Sequence, residues 1–304
     1  MDVREDGVVF ACEGETLVGV ITRGARVATT GVVIVVGGPQ YRVGSHRQFV
    51  LLARMLAAHG VACLRFDYRG MGDAGGEQRS FATVDADIDA ALAAFHAAVP
   101  ELQQVVLWGL CDGASAICLR LGDEGNRGAP PLPIAGAVLL NPWVRTAEGH
   151  ARTMLKHYYL QRLLDRRFWK KLVSGQFSAG RSLASLFTLL SGKTTTQAAP
   201  AKDAPAPAPL PVHLAPVPRL PERMRLGLEK SGAKFAVFLS GRDFVAREFE
   251  QMAAREKVWA RLLGSARCNV QHFQEADHTF SRRAQAAAAE EATLTWLRAQ
   301  GWLD

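Results

Sequence analysis

Long apolar runs are missing from this chain of 304 residues. No stretch approaches the roughly 20 residues needed to cross a bilayer, so a membrane-spanning protein is not expected. The opening Met-Asp-Val-Arg-Glu-Asp is acidic and carries no apolar core, which argues against a secretory signal. Cysteine is scarce: there are five, at positions 12, 63, 111, 118 and 268. An odd number at scattered positions fits neither a disulfide framework nor metal-ligand spacing. The compartment this implies is the reducing cytosol, and no metal is expected. The loop Gly37-Gly38-Pro39-Gln40-Tyr41-Arg42-Val43-Gly44 carries no G-x-G-x-x-G dinucleotide fingerprint, and no cofactor is expected. No nucleic-acid-binding module is recognisable.

What is present suits a chain that buries a large core: 48% of residues are apolar and 21% charged. The net charge of +7 is unevenly placed. Residues 145–230 hold 15 of the 36 Lys and Arg but only 5 of the 29 Asp and Glu, so the remainder is slightly acidic. Outside that basic segment, strand and helix patterns alternate. Residues 7–22 read as a hairpin around Glu-Gly-Glu. Residues 32–36 form a short, wholly apolar run, as expected of a strand covered on both faces, and 134–140 read as another buried strand; 61–66, 105–110, 235–239 and 269–273 also read as strands. Helical patterns fall at 45–59, 82–97, 114–121, 246–263 and 283–300. This alternation predicts an α/β fold with a mostly parallel central sheet and helices on both faces. Residues 1–144 and 231–304 would form the catalytic domain. Residues 145–230 interrupt the rhythm as a basic helical cap or lid, and their Ala/Pro-rich stretch at about 193–221 reads as a flexible linker.

The most informative stretch closes the strand at 105–110. Gly109-Leu110-Cys111-Asp112-Gly113 is a G-x-S-x-G nucleophile elbow with cysteine in the serine slot. In such an elbow the nucleophile sits on a strained strand-to-helix turn, and a Cβ at either glycine would clash across it. A cysteine nucleophile needs a base, an orienting acid and an oxyanion hole. Asp243, in Ser-Gly-Arg-Asp, and His278, in Ala-Asp-His-Thr-Phe, follow two late strands in the required order of nucleophile, acid, base. Asp243 could equally be a helix N-cap. Asp277 and Glu275 are weaker rivals for the acid, because sequence neighbours of His278 reach its far nitrogen poorly. The oxyanion donors expected are the backbone N–H of Asp112 and one from Gly37-Gly38-Pro39-Gln40. Pro39 has no N–H, so Gly38 is the first choice and Gln40 the second. The loop Asp67-Tyr-Arg69-Gly-Met-Gly-Asp73 reads as structural, with Asp67 and Arg69 tying it to the sheet end.

Taken together, these motifs resemble the exosortase A system-associated hydrolase 1 family. The stretches that carry the resemblance are G-G-P-Q-Y-R-V-G-S-H-R-Q-F, F-D-Y-R-G-M-G-D, G-L-C-D-G-A-S, S-G-R-D and A-D-H-T-F. They cover residues 7–143 and 234–302. The resemblance implies an α/β-hydrolase with Cys111, Asp243 and His278 as its triad, in a bacterial exosortase and exopolysaccharide setting. Cysteine departs from the serine usual in the superfamily and resembles dienelactone hydrolase-type enzymes.

The expected activity is cleavage of an ester or thioester through a covalent acyl-enzyme. The alternatives are transfer of the acyl group to a glycan or lipid-linked acceptor, and a non-catalytic binding module. The expected partner is a small-molecule or lipid- or glycan-linked acyl substrate. Residues 152–173 form a basic amphipathic stretch, with Leu155, Tyr159 and Leu163 on one stripe. It fits a lid helix packed on the domain, peripheral membrane contact, or capture of an anionic substrate. The oligomeric state is left open.

Overall fold

The computed structural model describes residues 3–38, 40–122, 132–144 and 219–303. An eight-stranded sheet runs in the order β1-β2-β4-β3-β5-β6-β7-β8. Its strands are β1 (Arg4–Cys12), β2 (Glu15–Arg23), β3 (Thr30–Val35), β4 (Cys63–Asp67), β5 (Gln104–Leu110), β6 (Ile134–Leu140), β7 (Lys234–Ser240) and β8 (Cys268–Phe273). β2 runs antiparallel to β1 and β4, and the remaining pairs are parallel. The first two strands join through Glu13 and Gly14, both at positive φ (47° and 87°), the backbone of a tight two-residue hairpin turn.

The helices are α1 (Gln48–Ala58), α2 (Asp85–Ala98), α3 (Asp112–Gly122), α4 (Leu220–Lys230), α5 (Phe244–Arg255), α6 (Lys257–Leu263) and α7 (Arg283–Ala299). Alternate residues of β5 show how they cover both faces of the sheet. Trp108 packs edge-on against Phe49 of α1 at 5.7 Å and donates its indole N–H to Thr293 of α7 at 3.3 Å. The next residue, Gly109, faces Ile117 of α3 instead. All six residues of β3 and all five of β4 are buried, including Arg65 and Asp67 of β4, which are paired with Glu5 and Arg42.

Three differences from the sequence expectation have physical causes. The helical pattern at 45–59 begins with a turn of another kind: His46 and Arg47 sit at φ 54° and 62°, and α1 starts only at Gln48. The pattern at 246–263 is two helices, because Glu256 is extended (φ −104°, ψ 107°) between α5 and α6. The interrupting segment ends earlier than 230. Met1–Arg145 and Pro218–Asp304 form one unit, and α4 packs on α3. The two helices meet so closely that a Cβ on Gly227 would lie 1.9 Å from the Cys118 carbonyl oxygen. The rest of the expected cap, with its amphipathic stretch at 152–173 and most of the Ala/Pro-rich linker, lies outside the described residues. Among the described residues, no helix is long and apolar enough to cross a membrane.

The loop after β4 is structural as expected, but its partners differ from those foreseen. Arg69 is tied to Asp87 of α2 rather than to the sheet end. Asp87 accepts from Arg69 N at 2.8 Å, Nε at 3.0 Å and Nη2 at 2.7 Å, and both side chains are buried. The second partner of Arg69, Glu13, is more than half exposed and contributes less. Asp87→Ala would leave the guanidinium buried without its main counter-charge. A loss of about 3–5 kcal/mol is expected from urea denaturation.

Candidate active site

The predicted site residues converge at the carboxyl ends of the parallel strands. Cys111 follows β5 immediately and holds φ at 60°, a left-handed conformation that costs energy outside glycine. Crowding holds it there. A Cβ on Gly109 would lie 2.8 Å from the Gly113 carbonyl carbon, and one on Gly113 would lie 2.5 Å from the Val35 carbonyl oxygen. Both elbow glycines are therefore required by close backbone approach. The Cys111 carbonyl accepts from Ala114 N at 3.1 Å and Trp143 N at 3.2 Å, which pins the turn to α3 and to the chain leaving β6. The Cys111 side chain remains partly exposed, while Cys12, Cys63 and Cys118 are buried.

Asp243 lies three residues past the end of β7, and its Oδ2 meets His278 Nδ1 at 2.8 Å. Its carboxylate also accepts from Val245 N and Ala246 N, each at 3.2 Å, so it caps α5 as well. One buried carboxylate therefore both caps α5 and holds the His278 ring. The two rivals are occupied elsewhere. Asp277 accepts from Ser281 N at 2.9 Å and from the Ser281 hydroxyl, closing the turn that projects His278. Glu275 pairs with Arg242 at the surface.

The imidazole of His278 also lies close enough to Cys111 to interact with it. Bonding to Asp243 first, then the interaction with Cys111, outweigh partial burial and push the His278 pKa up from 6.5 to about 10. Cys111, His278 and Asp243 thus form one connected row.

Of the expected oxyanion donors, Gly38 N reaches the elbow: it donates to Asp112 Oδ1 at 2.5 Å. Gln40 braces its own loop, its side-chain oxygen accepting from Ser45 N at 3.1 Å. Arg42 anchors this loop to the next one. Its backbone N donates to Asp67 Oδ1 at 2.6 Å, and its guanidinium pairs with Asp67 and Asp73. The D-x-R-G-x-G loop thus supports the oxyanion loop, a role the sequence reading did not assign.

Asn141 was also missed. It is fully buried just past β6, at φ 45°. Its Oδ1 accepts from Ser240 N at 2.9 Å, and its Nδ2 donates to the Ser240 hydroxyl at 2.9 Å and the His278 carbonyl at 3.1 Å. One side chain therefore ties together the strand ends carrying the acid and the base. The Asn-Pro step after an apolar strand was visible in the sequence, but nothing there gave its partners.

The profile of the alpha/beta hydrolase family matches residues 32–292, and the chain belongs to that family. Solved structures share its architecture. An esterase of Pyrococcus furiosus is 14% identical with a TM-score of 0.63, over 99% of this chain and 92% of that one. A fungal esterase from Rhizomucor miehei is 18% identical with a TM-score of 0.57, over 98% and 83%. Est1E from Butyrivibrio proteoclasticus, solved with ferulic acid bound, is 12% identical with a TM-score of 0.54, over 95% and 98%. No curated protein matches the chain.

The raised pKa of His278 has a signed consequence. Protonated imidazole is favoured in the folded state, so its stabilising contribution is complete below pH 6.5 and fades as pH rises through about 10. By NMR, the His278 ring should titrate near pH 10 in the wild type and markedly lower in Asp243→Asn. The stability gap between wild type and His278→Ala, followed by thermal melting, should narrow over the same interval.

Proposed function

We propose that this protein is an acyl hydrolase that cleaves an ester or thioester through Cys111, His278 and Asp243. The observation that carries the reading is the left-handed Cys111 at the elbow, beside an imidazole that is itself held by a buried carboxylate. The sulfur attacks the acyl carbonyl and its proton resides on His278. Asp243 fixes the ring orientation and balances the imidazolium. The tetrahedral oxyanion is met by backbone N–H groups at the start of α3 and on the oxyanion loop. Collapse breaks the bond to the alcohol or thiol, which leaves with the proton from His278. The acyl group stays on Cys111 as a thioester. Water, giving its proton to His278, then releases the carboxylic acid and restores the thiol.

A second reading follows from cysteine rather than serine at the elbow: the thioester can pass its acyl group to an acceptor other than water. The motifs shared with exosortase A system-associated hydrolase 1 proteins point to a glycan or lipid-linked acceptor in an exopolysaccharide setting. Products made in the presence of candidate acceptors separate the two readings, since free acid alone excludes transfer to those acceptors.

The test is intact-protein mass spectrometry after exposure to p-nitrophenyl esters and acyl-CoAs of graded chain length. A stoichiometric acyl adduct is expected in the wild type, and none in Cys111→Ala. In His278→Ala, a loss of at least about 100-fold in acylation rate is expected, from removal of the base. Full turnover by Cys111→Ala would overturn the reading.

A further inference from the structure

One backbone donor that would meet a tetrahedral oxyanion already holds an oxygen. Asp112 Oδ1 accepts from Gly38 N at 2.5 Å. The fit is close: a Cβ added to Gly37 would sit 2.4 Å from Oδ1. The Gly37-Gly38 turn and the start of α3 thus form a nest in which this oxygen sits. A substrate carbonyl that needs the N–H of Gly38 must therefore compete with Asp112. The carboxylate is adjacent in sequence to Cys111; burial raises its pKa above the ordinary value, opposed by the hydrogen bond from Gly38 and by nearby His278, and it acts in turn on the buried Tyr68. Asp243 already balances the imidazolium, so Asp112 contributes negative charge beyond that pair.

We propose that Asp112 determines the specificity of this site: its carboxylate is an internal ligand of the oxyanion donors, which a substrate must displace, and its charge excludes acyl groups that are anionic beside the reacting carbonyl. This rests on the acyl-transfer reading of Cys111. The substrate class that follows is a neutral or cationic acyl donor. Groups remote from its carbonyl supply the binding energy that moves the carboxylate aside. Short esters lack such groups and should be poor substrates of the wild type.

The test uses two thiol reagents of nearly equal size, neutral iodoacetamide and anionic iodoacetate, on the full-length protein. Alkylation is read at the Cys111 peptide by mass spectrometry. Asp112→Asn is the main variant, because it removes the charge while keeping an oxygen that can accept from Gly38; Asp112→Ala opens the nest altogether. In both, the ratio of iodoacetate to iodoacetamide rates should rise about tenfold over wild type, the scale expected for removing one nearby charge. Asp112→Ala should also hydrolyse p-nitrophenyl acetate faster than the wild type. A ratio unchanged in both variants overturns the proposal, as does acetate-ester hydrolysis by Asp112→Ala that falls to the Cys111→Ala level. If wild type and Cys111→Ala are alike inactive on every ester, the hydrolase reading fails, and the alkylation ratio still decides whether Asp112 filters charge.

Discussion

The end of β3 and the start of α3 press together so tightly that the Gly113 backbone lies against the Val35 carbonyl and the Gly37 amide. That contact is the constraint on which the site depends. It leaves the turn after β5 no room for a side chain at either glycine and drives Cys111 to φ 60°. It also brings the oxyanion loop within hydrogen-bonding distance of the first residue of α3. Cys111 and the Gly38 N–H are consequently positioned by one packing event, and any relaxation of it moves both. The strain is local and the restoring force is broad, because β3, β5 and α3 all lie in the main core.

Around this contact the structure uses single polar side chains to join elements far apart in sequence. Asn141 spans the ends of β6 and β7 and the loop bearing His278. Asp243 caps α5 and orients the imidazole. Asp67 holds the oxyanion loop through Arg42. Each is buried, so its hydrogen bonds are made in surroundings where an unmet partner is costly. Preorganisation of this kind fits electrostatic catalysis, in which the dipoles must already point at the developing charge.

Much of the architecture was legible in the sequence, because buried parallel strands have little compositional freedom. Runs such as Val32 to Val36 announce themselves, and the elbow glycines are forced by sterics. Two of the misreadings share one cause. Hydrophobic spacing reports which face is buried, not the backbone angle at each step. The pattern leading into α1 therefore concealed two left-handed residues, and the pattern at 246–263 concealed an extended Glu256. The order of Cys111, Asp243 and His278 along the chain was enough to expect that they would come together, as they do. The role of Asn141 was not legible, since it depends on residues 240 and 278 arriving beside it through the sheet order. A Pro-rich stretch hid α4 by blurring where regular structure resumes.

Asp112 marks the limit of motif reading most clearly. The sequence assigned its backbone N–H to the oxyanion hole, as any residue after an elbow nucleophile would be. Its side chain carries no weight in that pattern, yet it folds back onto the Gly38 N–H. A larger apolar residue at this position could not satisfy Gly38 N–H, and a smaller one would leave the nest open to any oxygen. A carboxylate does neither: it satisfies the donors in the resting site and makes occupancy by substrate a displacement. Affinity for the acyl group is then a difference between two anions competing for the same N–H groups, and discrimination arises from the penalty on the wrong ligand as much as from attraction to the right one.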